Sequence, residues 1–153
     1  MPRKSRPAPV EDPLVFQVLN EIGIIDQLAR HKAGQVLAPQ LNMAQFIVLN
    51  HFAHLGGECS LVRLADAMQV TKGAMTNTVS RLRAKGLIEV RGDPEDGRGK
   101  LVTLNARGRK ARDLAVKKLG LVLADLRGVA SPDELGAALV MLRRLRIWFD
   151  RNR

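Results

Sequence analysis

The sequence predicts a mainly α-helical fold with one small β-hairpin, in the order α-α-α-α-β-β-α-α. Three observations predict it. Apolar residues recur at helical spacing over most of the chain, two short runs at 87–91 and 100–104 favour strand instead, and cap-forming residues stand ahead of successive helical stretches. With 153 residues the chain can bury one core without disulfides or metals, so a single domain, 13–153, is expected behind a short arm, 1–12.

The arm carries Arg3, Lys4 and Arg6 between prolines, a composition that resists helix and sheet and predicts a disordered basic segment. Asp12 followed by Pro13 predicts a helix start, the carboxylate capping free amides and the proline filling the first turn. Leu14, Val18, Ile22, Ile25 and Ala29 stripe this first helix, which is expected to end near Gly34. Asn42 with Gln45 resembles a capping box for a second helix presenting Phe46, Ile47, Leu49 and Ala53 and stopping at Gly56-Gly57.

Ser60 is placed to cap a short third helix with Leu61, Leu64, Ala65 and Met68 on one face, interrupted at Gln69 and Val70. Thr71 caps the fourth, with Val70 packing on Met75 as a staple and Met75, Val79 and Leu82 pointing inward until Gly86 closes it. The two strands follow, joined by the exposed loop 92–99, rich in glycine and acidic residues. A fifth helix carries Ala111, Ala115, Leu119, Val122 and Leu126. Ser131-Pro132-Asp133-Glu134 starts a sixth, striped by Leu135, Ala138, Leu139, Leu142, Leu145 and Phe149.

Two short helices joined by a tight turn and followed by a hairpin make a winged helix-turn-helix, in which the second helix of the pair enters the DNA major groove. Turning about 100° per residue from Met75, the outward residues of that helix are Gly73, Thr76, Asn77, Ser80, Arg81 and Ala84, none of them apolar and bulky. Gly73 and Ala84 let backbone approach closely, Thr76 and Ser80 can bond base edges or phosphates, Asn77 can pair with adenine, and Arg81 can reach guanine or a phosphate. Thr71 and Lys72, at the helix start, are expected to position a phosphate. Ser60 and Lys100 complete the expected DNA contacts. The 25 Lys and Arg against 15 Asp and Glu, a net charge of +10, favour a polyanionic partner, and ten basic against four acidic residues between Arg81 and Arg112 concentrate the excess near this surface.

The wing residues Asp93-Pro94-Glu95-Asp96-Gly97-Arg98, then Leu101-Val102-Thr103-Leu104-Asn105 and Gly108, with Thr71 to Thr76 and Leu82, Lys85, Gly86, Leu87 and Ile88, resemble the MarR-type transcription factors of bacteria and archaea. The resemblance covers nearly the whole chain from Pro13. It implies that Arg98 enters the minor groove, that Asp96 holds the wing's shape, and that the first and last helices form a homodimer. The division expected is 42–105 as the DNA-binding region, with 13–41 and 106–153 as dimerisation helices. It further implies a repressor released from DNA by a small-molecule effector that nothing in the residues names. Asn105 stands where the family more often has threonine, but asparagine caps a helix equally well. Gly99 is expected to loosen the wing. A two-fold dimer places its recognition helices about 34 Å apart and so calls for a pseudo-palindromic duplex site.

No paired nucleophile and base, dry carboxylate pair or phosphate-binding glycine loop occurs, so neither catalysis nor a cofactor is expected. His51 and His54 share a helix face and, with His31 or Cys59, make the best zinc candidates, but lack the acidic ligands of a dedicated site; none is assigned. Cys59, the single cysteine, is expected to be an inert thiol in a reducing cytoplasm. The start lacks the apolar run of a signal peptide and no stretch of about eighteen apolar residues occurs, so a soluble cytoplasmic protein without membrane contact is expected. The alternative to a sequence-specific regulator is an architectural or RNA-associated basic protein binding by phosphate neutralisation alone.

Overall fold

The computed structural model describes residues 12–97 and 99–152, and the chain divides into two compact units between Met43 and Ala44. The expected basic arm falls almost wholly outside the described residues, as does Arg98.

The first unit is built on helix α1, Leu14–Leu37. Its N-cap is Pro13, with no side-chain cap, so the predicted Asp12 cap is corrected. Asp12 instead offers its backbone carbonyl to Gln17 Nε2 at 2.7 Å. The helix runs three residues past Gly34 and stops at Ala38, whose extended backbone (ψ 149°) is the conformation that a following proline imposes. Leu37 is buried, whereas Leu14, Val15, Phe16, Ile24, Ile25 and Leu28 are exposed.

The second unit continues with α2 (Met43–Leu55), β1 (Glu58–Ser60), α3 (Leu61–Ala67), α4 (Lys72–Ala84), β2 (Ile88–Gly92), β3 (Lys100–Leu104), α5 (Ala106–Val122), a 3-10 turn (Ala124–Gly128) and α6 (Pro132–Arg151). All six predicted helices and both predicted strands are present. The sequence reading missed β1, because three residues are too few to display alternation. Glu58, Cys59 and Ser60 are a strand only through antiparallel pairing with Thr103, Val102 and Leu101, which gives a sheet of order β1-β3-β2.

The core beneath this sheet consists of Val48, Leu49 and Phe52 from α2, Leu64 and Ala65 from α3, Met75, Val79 and Leu82 from α4, and Ile88 and Val102 from the strands. On α2 the buried face differs from the expected one: Gln45, Val48, Leu49 and Phe52 are inside, while Phe46, Ile47 and Ala53 are half-buried. A helix apolar on most sides gives periodicity little to orient it by. Gln45 is tolerated inside because its Oε1 accepts from Lys85 Nζ at 3.0 Å.

From α3 onward, capping follows the sequence. Ser60, Thr71, Asn105 and Ser131 cap α3, α4, α5 and α6, and Ser131 with Glu134 forms a reciprocal capping box with Pro132 in the first turn. Gly86 takes the left-handed conformation (φ 67°) that ends α4. The turn between α3 and α4 is set by Gln69, a non-glycine residue at φ 52°, whose N–H and side-chain Nε2 both donate to the Asp66 carbonyl. Along α6 the expected apolar stripe is largely uncovered: Leu135, Leu139, Leu142 and Phe149 are exposed, together with Val140, Met141, Ile147 and Trp148. Among the described residues no helix is long and apolar enough to cross a membrane.

Candidate nucleic-acid interface

Helix α4 is held by its inner face and its start. Met75, Val79 and Leu82 are buried, and Thr71 Oγ1 accepts the Ala74 N–H at 3.2 Å. Val70, expected to staple onto Met75, is 44% exposed. With the inner face fixed, Gly73, Thr76, Asn77, Ser80, Arg81 and Ala84 are all exposed, as the helical geometry predicted. Lys72 is exposed in the first turn, and the structure adds three features to this surface.

A Cβ built on Gly73 would meet nothing within 4 Å, so the fold has no use for a glycine there although glycine weakens a helix. The Thr76 hydroxyl donates to the Lys72 carbonyl at 2.8 Å, which leaves it only lone pairs to present outward. Arg81 Nε donates to Asn77 Oδ1 at 3.2 Å, one turn away along the same face.

The wing is tied at its base by local bonds. The Asp93 N–H donates to the Gly99 carbonyl at 3.0 Å, the Gly99 N–H to the Asp96 carbonyl at 2.8 Å, and the Glu95 N–H to Asp93 Oδ1 at 3.0 Å. In the sequence Asp93 stands only as part of the wing motif, with no role of its own; the signal for this role is the tendency of aspartate to bond the backbone two residues on. A Cβ on Gly99 would lie 2.9 Å from Asp93 Cβ and 3.1 Å from Asp96 Oδ2. Gly99 therefore permits a tight closure instead of loosening the wing as expected. Lys100 is exposed where the loop joins β3, and Ser60 is half-buried, its hydroxyl accepting the Arg63 N–H at 3.3 Å.

The positive surface is smaller than a count of basic residues suggests. Arg91 on β2 reaches across β3 to bind both carboxylate oxygens of Glu58 on β1. These hydrogen bonds hold the Glu58 carboxyl below its usual range and raise Arg91. Arg112 on α5 donates through Nε (3.0 Å) and Nη2 (2.8 Å) to Asn50 Oδ1 on α2. Arg91 and Arg112 thus fasten elements of the domain together, and the excess assigned to the reading surface is corrected by Arg91, whose charge Glu58 pairs, whereas the bond to the neutral Asn50 amide leaves the charge of Arg112 in place.

Asn105 joins the wing's exit to the end of α4. Its Oδ1 accepts the Gly108 N–H at 2.9 Å, while its Nδ2 donates to the Gly86 carbonyl at 3.0 Å. Gly108 is buried where α5 meets Leu87: a Cβ there would stand 1.9 Å from the Leu87 carbonyl oxygen.

Of the sensing candidates, Cys59 is half-buried on β1, and that burial pushes its thiol above the usual range, the nearby Arg63 opposing. His54 Nε2 lies 3.4 Å from Arg112 Nη2, a cationic neighbour unsuited to a metal ligand. Burial lowers His51, whose ring meets Phe52 edge to face at 5.8 Å. Among the described residues no group of three or more His, Cys, Asp or Glu side chains is arranged to hold a metal.

Residues 40–99 match the model of the MarR family. The fold is similar to a crystal structure of MarR at 28% identity and TM-score 0.79, covering 95% of this chain and 97% of that one. It is also similar to a serine-for-cysteine variant of Escherichia coli MarR complexed with operator DNA, at 25% identity and TM-score 0.68, covering 88% and 99%. A third similar structure is Bordetella bronchiseptica BpsR, whose DNA binding is regulated by 6-hydroxynicotinic acid, at 27% identity and TM-score 0.64, covering 82% and 98%. No curated protein matches the chain in sequence.

Proposed function

We propose, from the match of residues 40–99 to the MarR family model and the similarity to solved MarR structures, that this chain is a MarR-type winged helix-turn-helix transcriptional regulator that binds a pseudo-palindromic duplex operator as a homodimer and represses transcription until a small molecule releases it. The family is one of DNA-binding regulators, not of enzymes. The observation that carries the proposal is the outward face of α4, where six small or polar residues are exposed on a helix whose other face is locked into the core. Such a surface enters a major groove without apolar bulk to desolvate against polar base edges.

In this reading Gly73, Thr76, Asn77, Ser80 and Arg81 face the bases. Ser60, Thr71, Lys72 and Lys100 set the register on phosphates, and Arg98 enters the minor groove from a wing shaped by Asp96. Residues 42–105 form the DNA-binding region.

Residues 13–41 and 106–153 supply the dimer. Its support is the apolar surface left exposed on α1 and α6, Trp148 among it at 59% exposure, which is more than a solvated helix carries. Two-fold pairing places the α4 helices about 34 Å apart on successive major grooves. Ligand release is supported by analogy with BpsR, and binding by analogy with the operator complex of the E. coli protein.

Selection of bound fragments from a random duplex pool tests the proposal, followed by titration against scrambled competitor and sedimentation of the free protein. An enriched inverted repeat bound by a dimer is the expected result. Equal affinity for every duplex and for RNA would instead assign the protein to architectural, phosphate-driven binding.

A further inference from the structure

We propose that Asn77 and Arg81 act as one donor-rich reading unit that selects guanine in each half-site, with Arg81 as the residue that biases what Asn77 can recognise. The inference rests on the reading of α4 as the groove-facing helix. Arg81 Nε bears a hydrogen and can only donate, so the Asn77 atom 3.2 Å from it must be the carbonyl oxygen, and the amide orientation follows from chemistry. The bond engages one of the two lone pairs of that oxygen and turns the carbonyl along the helix toward Arg81, so a bidentate contact with adenine, which offers an acceptor at N7 and a donor at N6, must compete with Arg81 for it. What the pair presents outward is dominated by donors, the Asn77 amino group and the remaining guanidinium N–H groups, against one remaining lone pair on the Asn77 oxygen.

Of the four major-groove patterns, guanine alone offers two adjacent acceptors, N7 and O6, whereas cytosine and adenine place an amino group against such a surface and thymine a methyl. Both side chains are exposed, one turn apart on the outward face, and the turn between them is pinned by buried Val79, so the pair reaches the groove as a preformed unit. Pre-organisation of this kind lowers the ordering cost of binding.

The test is selection from a random duplex pool by wild type, Asn77→Ala and Arg81→Ala, then titration of the selected duplex with guanine or 7-deazaguanine at the dependent position. Wild type is expected to enrich guanine at one fixed position per half-site, and each variant to lose roughly 10- to 100-fold on the guanine duplex. Each is expected to lose much less on the 7-deaza duplex, with the double variant little worse than either single.

Arg81→Ala frees the Asn77 acceptor, so its preference at that position is expected to move from guanine toward adenine. Unchanged preference in Arg81→Ala, additive losses, or losses equal on all duplexes would overturn the coupling and leave α4 as the recognition helix. Failure of the wild type to enrich any motif would overturn the reading of α4 as well. Both substitutions are on an exposed helix face, and an unchanged helical circular dichroism spectrum verifies that the variants are folded.

Discussion

Gly108→Ala tests how the DNA-binding region is joined to α5. The added methyl would stand 1.9 Å from the Leu87 carbonyl oxygen and 2.6 Å from Leu104 Cδ1. Leu104 can change rotamer, but the carbonyl is backbone one residue ahead of β2 and has no such freedom. Restoring van der Waals contact requires α5 to retreat by well over an ångström, and that retreat breaks the bond from the Gly108 N–H to Asn105 Oδ1 and disturbs the Asn105 bond to Gly86. Overpacking against rigid backbone with loss of a cap costs about 2–4 kcal/mol. For a domain of this size that lowers the thermal midpoint by roughly 5–15 °C. Thermal denaturation followed by circular dichroism, at fixed protein concentration because a dimer's midpoint depends on it, provides the measurement. A midpoint equal to wild type would show that α5 and Leu87 are not in this contact, and the account of the junction would fall.

Gly73→Ala is expected to move stability and binding in opposite directions: the fold gains about 0.5–1 kcal/mol because the new methyl meets nothing, while affinity for the selected duplex drops. Urea denaturation and gel-shift titration check the two halves, and an affinity equal to wild type would mean that no body approaches the start of α4. Arg98→Ala is expected to weaken duplex binding and to reduce the slope of log affinity against log salt by about one, with no change in the dimer on sedimentation. An unaltered slope would remove Arg98 from the contacts. The Glu58–Arg91 bridge gives a pH dependence with a definite sign. The folded carboxyl is depressed, so its stabilisation is present above the ordinary carboxylate range and is lost as pH falls through the folded value. Glu58→Gln should therefore lower the urea midpoint at neutral pH and approach wild type in acid, and a gap independent of pH would refute the electrostatic account.

What the residues determined on their own is local. Caps at Ser60, Thr71, Asn105 and Ser131, the stop at Gly86, and the inward row Met75, Val79 and Leu82 follow from backbone chemistry within a few positions, and so does the identity of the outward face of α4. Where local patterns were ambiguous the sequence misled: α2 is apolar on too many sides to declare its buried face, and Asp12 beside Pro13 signalled a cap that α1 does not use. Tertiary structure decided whatever depends on a distant partner. Glu58 is in a strand because Thr103 faces it, Arg91 is committed because Glu58 lies across the sheet, and Arg112 because Asn50 waits 62 positions earlier. Gly108 looks in sequence like an ordinary helix glycine, yet the Leu87 carbonyl leaves no room for any other residue. The physical reason is that periodicity and capping report interactions of a residue with its own neighbours in the chain. Pairing, charge neutralisation and close approach are properties of two segments at once, fixed only when the fold has brought them together.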